Sequence, residues 1–320
     1  LMELATCATF PEHEIETEKG VVIDEIHSYK DTPSEDIYDR FEEMLFEGHP
    51  LSGTILGTVA SVKKITSEEL RRFAEDKFVP EKMAFTVVAD IDEKKMEKDV
   101  LKLAQKYFGS SGMAEATATT DEEAMAGRRP EPWNGCNRFD KTLSKRNHQA
   151  NCIIGGLAPS LYQERERLAT VLLCNILGGP SNNSILNAVL REKNGWVYGV
   201  ECSYTQYSDT GIVAISLGCD KNNLEKCIKA IYKEIGKLQE GVLSERKLKA
   251  AKKQLLGQMA ISGDNGETQC LAMGKGLLAY EKLNTSKETR QMVEGITAED
   301  IREMARTIFA MDRLSKLIYI

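Results

Sequence analysis

The sequence predicts an α+β protein built from two related copies of one unit, and three observations support this. Its 320 residues are too many for one ordinary compact domain and enough for two packed cores. Segments with helical spacing of apolar residues alternate with short apolar runs that are typical of strands. A motif near residue 65 returns near residue 296, each time as a helix start followed by an apolar run.

The first hundred residues are predicted to be mainly helical. Leu1–Ala5 has the pattern of the middle of an amphipathic helix. Further on, Thr66 and Glu69 form a capping box that opens a helix, and Pro80 stops it. The predicted elements are helices at 12–29, 35–47, 67–78 and 93–108, with a strand at 83–89.

The segment 109–137 has no apolar period over most of its length and is predicted to be an interdomain linker. It combines a Gly-Ser run, a run of Ala and Thr, and the stretch Arg128–Pro132. Beyond it we expect a strand at 150–156, a helix at 163–177, a turn at Gly178, a short helix through Leu190, strands at 197–207 and 211–218, a helix at 222–239, two or three more helices and a last strand at 317–320.

The internal repeat indicates the domain organisation. Ile65–Arg71 returns as Ile296–Arg302, at an offset of 231 residues. Because the second copy starts near Asn147, we expect the first copy to lack roughly 80 to 90 residues at its front, which a longer chain would carry. The sequence therefore predicts an incomplete first domain at 1–108, the linker at 109–137 and a second domain at 138–320.

Composition excludes several classes of partner. The formal net charge is −7 and no long basic run occurs, which argues against nucleic acid and anionic membranes. No apolar stretch is long enough to span a bilayer, and the N-terminus does not read as a signal peptide. Eight cysteines are dilute in a chain of this length and form no CxxC pair, which favours reduced thiols and a cytoplasmic location.

The common catalytic motifs are absent from the sequence. His13-Glu14 begins an HExxH pattern, but Thr17 stands where the second histidine belongs, and HxxEH does not occur either. The other histidines are isolated, and there is no GxSxG, P-loop or GxGxxG.

Two carboxylates in the first long helix are better placed for chemistry. Glu18 and Glu25 are seven residues apart, so they share one helix face about 10 Å apart along the axis. The residues between them, Val21–Ile23, are apolar. Periodicity alone favours a solvated acidic stripe, while either carboxylate could serve as a hard oxygen ligand for zinc.

The chain resembles the pitrilysin-type zinc metallopeptidases in several segments taken in order. These are Phe10–Glu12, Glu16–Ile26, His49–Leu51, Ile55–Thr58, the Ile-Thr capping box and Leu190–Tyr198. In that family an HxxEH helix supplies two zinc ligands and the general base. The resemblance implies that Glu25 is the third zinc ligand, that Glu18 supports the site, and that Arg191 and Tyr198 hold substrate carbonyls and the oxyanion.

The resemblance also implies a fold and a function. Each domain would be a mainly antiparallel sheet covered by helices on one side. The full-length protein would be a zinc-dependent endopeptidase that cleaves peptides in a chamber formed by two subunits, as a homo- or heterodimer. Without HxxEH we expect this chain alone to be inactive and not to bind zinc. The alternative is a non-catalytic partner or scaffold subunit, although the presence of both Glu18 and Glu25 argues against it. The second copy has Leu256 in place of Glu25, like the metal-free half of the family.

The segment that carries Arg191 and Tyr198 is predicted to turn from helix to strand. Asn194-Gly195 is typical of a helix end, and Tyr198 lies at the start of the strand at 197–207. The two side chains would then converge across the turn. Alternatively, Tyr198 packs in the second core and Arg191 is a solvated cation at a helix end.

Overall fold

The computed structural model describes residues 1–109, 129–135, 137–145 and 147–320. They form two compact units, each assembled from separate stretches of the chain. Unit 1 comprises Leu1–Ile26, Leu56–Arg128 and Gln258–Thr285; unit 2 comprises His27–Ile55, Arg129–Gly257 and Ser286–Ile320. Most of the predicted linker at 109–137 lies outside the described residues, and the domain limits of 1–108 and 138–320 stay a prediction.

The described elements are mostly helices. The helices are α1 (Met2–Thr6), α2 (Glu12–Asp31), α3 (Pro33–Leu45), α4 (Val59–Lys64), α5 (Ser67–Lys77), α6 (Glu93–Phe108), α7 (Glu164–Gly178), α8 (Leu224–Glu240), α9 (Glu245–Gly263), α10 (Gly266–Tyr280), α11 (Ser286–Gly295) and α12 (Ala298–Ile308). The strands are β1 (Asp140–Leu143), β2 (Ala150–Ala158), β3 (Val197–Gln206), β4 (Gly211–Cys219) and β5 (Ser315–Tyr319). A π-helical stretch, Asn187–Lys193, precedes β3.

Unit 2 is built on a five-stranded sheet with the order β1-β5-β2-β4-β3. Only β1 and β5 pair in parallel, so the predicted α+β fold with a mainly antiparallel sheet is confirmed. β2 and β4 are almost continuously buried because both sheet faces are covered over much of their length. Ile154 and Ile215 belong to the core beneath α7, α8 and α12. Ile153 belongs to the core beneath α3, so helices lie on both faces of the sheet and not on one only.

Helix α3 is amphipathic and is fixed to its sheet face at several points. Ile37 and Phe41 are buried against that face. Near the N-terminus of the helix, Asp36 accepts hydrogen bonds from the Tyr319 hydroxyl at 2.7 Å and from Lys145 Nζ at 2.8 Å. These contacts hold the first turn of α3 beside the sheet.

Unit 1 is helical in the part that the structure describes, and the predicted strand at 83–89 is wrong. These residues belong to no helix or strand, because a strand needs a neighbour for its backbone groups and the described part of unit 1 contains none. Thr86 instead contacts α10, where its Oγ1 donates to the carbonyl of Cys270 at 2.9 Å. The Cys270 thiol donates to the carbonyl of Thr86 at 3.2 Å.

The internal repeat is confirmed at the level of local structure. Thr66 caps α5 and Thr297 caps α12, each in a reciprocal capping box with the residue three positions on. Both helices have 11 residues and the same offset. α2 and α9 are related by nearly the same offset, so Leu256 in α9 corresponds to Glu25 in α2.

The sequence analysis missed two elements and undercounted others. β1 is short and polar, and α4 has only 6 residues, so neither has a clear period. Four helices, not two or three, lie between α8 and β5. Within the described residues, no helix is both long enough and apolar enough to cross a membrane.

Candidate functional site

The two carboxylates predicted to serve zinc lie on an exposed face of α2. Glu18 and Glu25 are both exposed, and Ile26 holds the helix by its buried side chain. Among the described residues, no group of three His, Cys, Asp or Glu side chains is arranged to hold a metal ion. A carboxylate suits one position of a zinc site, but a catalytic zinc needs three protein ligands. The described residues alone therefore do not form the site.

Arg191 lies in the π-helical stretch and is exposed. The stretch ends where Gly195 adopts a positive φ of 60°, a conformation that favours glycine. The amide of Trp196 donates to the carbonyl of Leu190 at 2.9 Å, and Nδ2 of Asn194 donates to the carbonyl of Val189 at 2.7 Å. These bonds fix the predicted turn from helix to strand.

Tyr198 lies at a β-bulge at the start of β3. Val197 pairs with Cys219 and Gly199 with Gly218, which leaves Tyr198 as the extra residue of the strand. Its side chain is 61% exposed, so the alternative that Tyr198 packs in the second core is wrong.

The Tyr198 hydroxyl already has a partner. It donates to Oδ1 of Asp220 at 2.7 Å, and this hydrogen bond to a carboxylate raises the pKa of Tyr198 above its usual value. The hydroxyl is therefore kept as a neutral O–H donor. The structure gives no direct contact between Arg191 and Tyr198 within the described residues.

Three features of this segment were not foreseen from the sequence. They are the π-helical stretch, the bulge at Tyr198 and the partner Asp220. π-Helical turns and β-bulges are over-represented near functional sites, because each redirects a side chain that regular structure would orient elsewhere. The only sequence signal for the irregularity is a pair of glycines, Gly195 and Gly199, on either side of Trp196–Tyr198.

Residues 64–255 match the family model described as the Peptidase M16 inactive domain. This chain belongs to the peptidase M16 family. The resemblance to pitrilysin-type metallopeptidases is thereby confirmed. Arg191 and Tyr198 lie inside the range of the M16 match, whereas Glu18 and Glu25 precede it.

Comparison with individual proteins supports the M16 assignment. The chain is 27% identical to an uncharacterized zinc protease of Bacillus subtilis, YmxG, over 97% of this chain and 72% of that protein. The peptidase M16 inactive domain from Pseudomonas fluorescens has a TM-score of 0.81 at 17% identity, over 99% of this chain and 73% of that chain. A chain of complex III2 from Candida albicans has a TM-score of 0.71 at 15% identity, over 99% of this chain and 75% of that chain. At such identities the structural likeness shows the fold alone.

Proposed function

We propose that the full-length M16 protein carrying this chain is a zinc-dependent endopeptidase. In this proposal Glu25 is a zinc ligand, Glu18 supports it, and Arg191 and Tyr198 hold the peptide. The names of relatives support it, since YmxG is described as a zinc protease and matches nearly the whole chain.

The observation that carries the proposal is the difference between the two copies of the repeat. In α9 the equivalent position is Leu256, which packs against the core of unit 2. In α2 the position is Glu25, and its carboxylate is exposed. One copy therefore uses the position for packing, while the other presents a metal-binding group there.

The chain's own residues would bind and orient the substrate. The exposed guanidinium of Arg191 can bind a peptide carbonyl, and the neutral hydroxyl of Tyr198 can donate to the oxyanion that forms during amide hydrolysis. Zinc, when bound by a longer chain, supplies a polarised water as nucleophile. We further propose that the active form is a homo- or heterodimer with a related subunit, which encloses the peptide.

The second candidate is a non-catalytic partner or scaffold. Two observations favour it: the matching family model describes an inactive domain, and a chain of a respiratory complex has the same fold. A scaffold would need neither an exposed Glu25 nor a bulge that presents Tyr198.

Peptide cleavage by the full-length protein tests the proposal. We expect it to cleave an internally quenched fluorescent peptide library, to stop after removal of zinc by 1,10-phenanthroline, and to recover when zinc is added back. The 320-residue chain alone is the control and should cleave nothing. A full-length protein that cleaves nothing under any zinc condition contradicts the endopeptidase and supports the partner subunit.

A further inference from the structure

A pocket of about 500 Å³ lies in unit 2, on the sheet face that also carries α3. Its floor is formed by two rows of residues that pair across the strands. One row is Asn151 on β2, Gly218 on β4 and Gly199 on β3. The next row ends in Glu201 at the outer strand. We call the first row, with its two glycines, the trough.

The glycines make the trough deep, although the fold does not require them. A Cβ added at Gly199 would meet no atom within 4 Å. At Gly218 the nearest atom would be Oδ1 of Asn151 at 3.6 Å, which is an ordinary contact. Neither residue has the positive φ that favours glycine. The missing side chains leave a depression that runs from Asn151 to the open edge of β3.

Asn151 closes the inner end of the trough with an unsatisfied donor. The residue is only 6% exposed, and its Nδ2 atom is enclosed without a hydrogen-bond partner in the described part of the chain. Buried amide groups in folded proteins nearly always have a partner. An acceptor such as a carbonyl oxygen of a molecule lying in the trough would supply one.

The outer end of the pocket is acidic and aromatic. Of the described residues that line it, Glu201 is the only one with a charged side chain, and no cation of the described chain lies within salt-bridge distance of it. Tyr38 on α3 and Tyr198 at the bulge form the walls, and Asp220 is bonded to the Tyr198 hydroxyl. A carboxylate between two tyrosine rings suits a cation, through charge and through the ring faces.

We propose that this pocket is a binding site for a basic residue of a peptide. The arginine or lysine side chain lies against Glu201 between Tyr38 and Tyr198, and a carbonyl oxygen of the same peptide accepts from Asn151. The peptide as occupant rests on the proposed function, whereas the preference for a cation rests on the pocket itself.

The test is direct binding of two matched probes to the 320-residue chain. N-acetyl-L-arginine amide carries the cation, and N-acetyl-L-citrulline amide is its neutral analogue of nearly equal shape. Titration is followed by the amide NMR signals of Gly199 and Gly218. We expect saturable shifts of these signals with the arginine probe and affinity weaker by about fivefold or more with the citrulline probe.

Three variants separate charge, space and general surface effects. Glu201→Gln should abolish the preference for arginine over citrulline, and Gly199→Val should fill the trough and weaken binding of both probes. Glu225→Gln, on the exposed surface of α8, should change neither. Equal affinity for the two probes in the parent, or no shift at the two glycines, would overturn the proposal. Because the assay needs no cleavage, its failure leaves the endopeptidase proposal standing.

Discussion

Replacing Tyr198 with Phe in the full-length protein should lower kcat for peptide cleavage about ten- to a thousand-fold, with little change in KM or zinc content. The ring is 61% exposed, so loss of one oxygen leaves the packing of unit 2 intact. A hydroxyl that donates to an oxyanion acts mainly in the transition state, which places the loss in kcat. A Phe variant whose kcat stays within about twofold of the parent would show that Tyr198 has no such role.

Asp220 gives this prediction a second readout. The hydrogen bond to Asp220 raises the pKa of Tyr198, so the hydroxyl keeps its proton to higher pH than an ordinary tyrosine. Asp220→Asn removes the charge and lowers that pKa. The alkaline fall in kcat should therefore move to lower pH in Asp220→Asn. A profile that does not move would show that ionisation of Tyr198 does not limit the reaction.

Replacing Phe309 with Ala should lower the free energy of unfolding of unit 2 by about 3–5 kcal/mol. Phe309 ends α12 and is completely buried in the core of unit 2, so its removal costs both apolar burial and a cavity. Urea unfolding followed by tryptophan fluorescence measures the effect. The chain has two tryptophans, and both Trp133 and Trp196 belong to unit 2.

The repeat provides a matched control for Phe309. Phe78 occupies the same place at the end of α5, and the amide of each phenylalanine donates to the carbonyl four residues earlier. Phe78 is 41% exposed and lies in unit 1. Phe78→Ala should therefore change the unfolding of unit 2 by less than about 0.5 kcal/mol. Equal losses for the two variants would contradict the difference in packing between the copies.

Local signals in the sequence predicted local structure well. The capping boxes at Thr66 and Thr297 depend only on residues three positions apart, and both are found as predicted. The amphipathic period of α8 likewise identifies a helix with one buried face. These features need no knowledge of distant parts of the chain.

The features that depend on distant residues were missed or wrong. The apolar alternation at 83–89 predicts a strand, but in the described part of unit 1 no strand pairs with it. β1 was missed because a short polar segment becomes a strand only through its pairing with β5. The bulge at Tyr198 depends on register with β4, and the depth of the trough depends on Gly199 and Gly218 being neighbours across two strands. Neither can be read from spacing along one strand.

The zinc content of the full-length protein tests the central claim most directly. We expect about one zinc per chain by inductively coupled plasma mass spectrometry, and well below one in Glu25→Gln. Glu14→Gln is the matched control, because Glu14 is another exposed carboxylate on α2 and should leave the zinc content unchanged. A Glu25→Gln protein that keeps its full zinc content would contradict the account, because Glu25 would then not be a ligand.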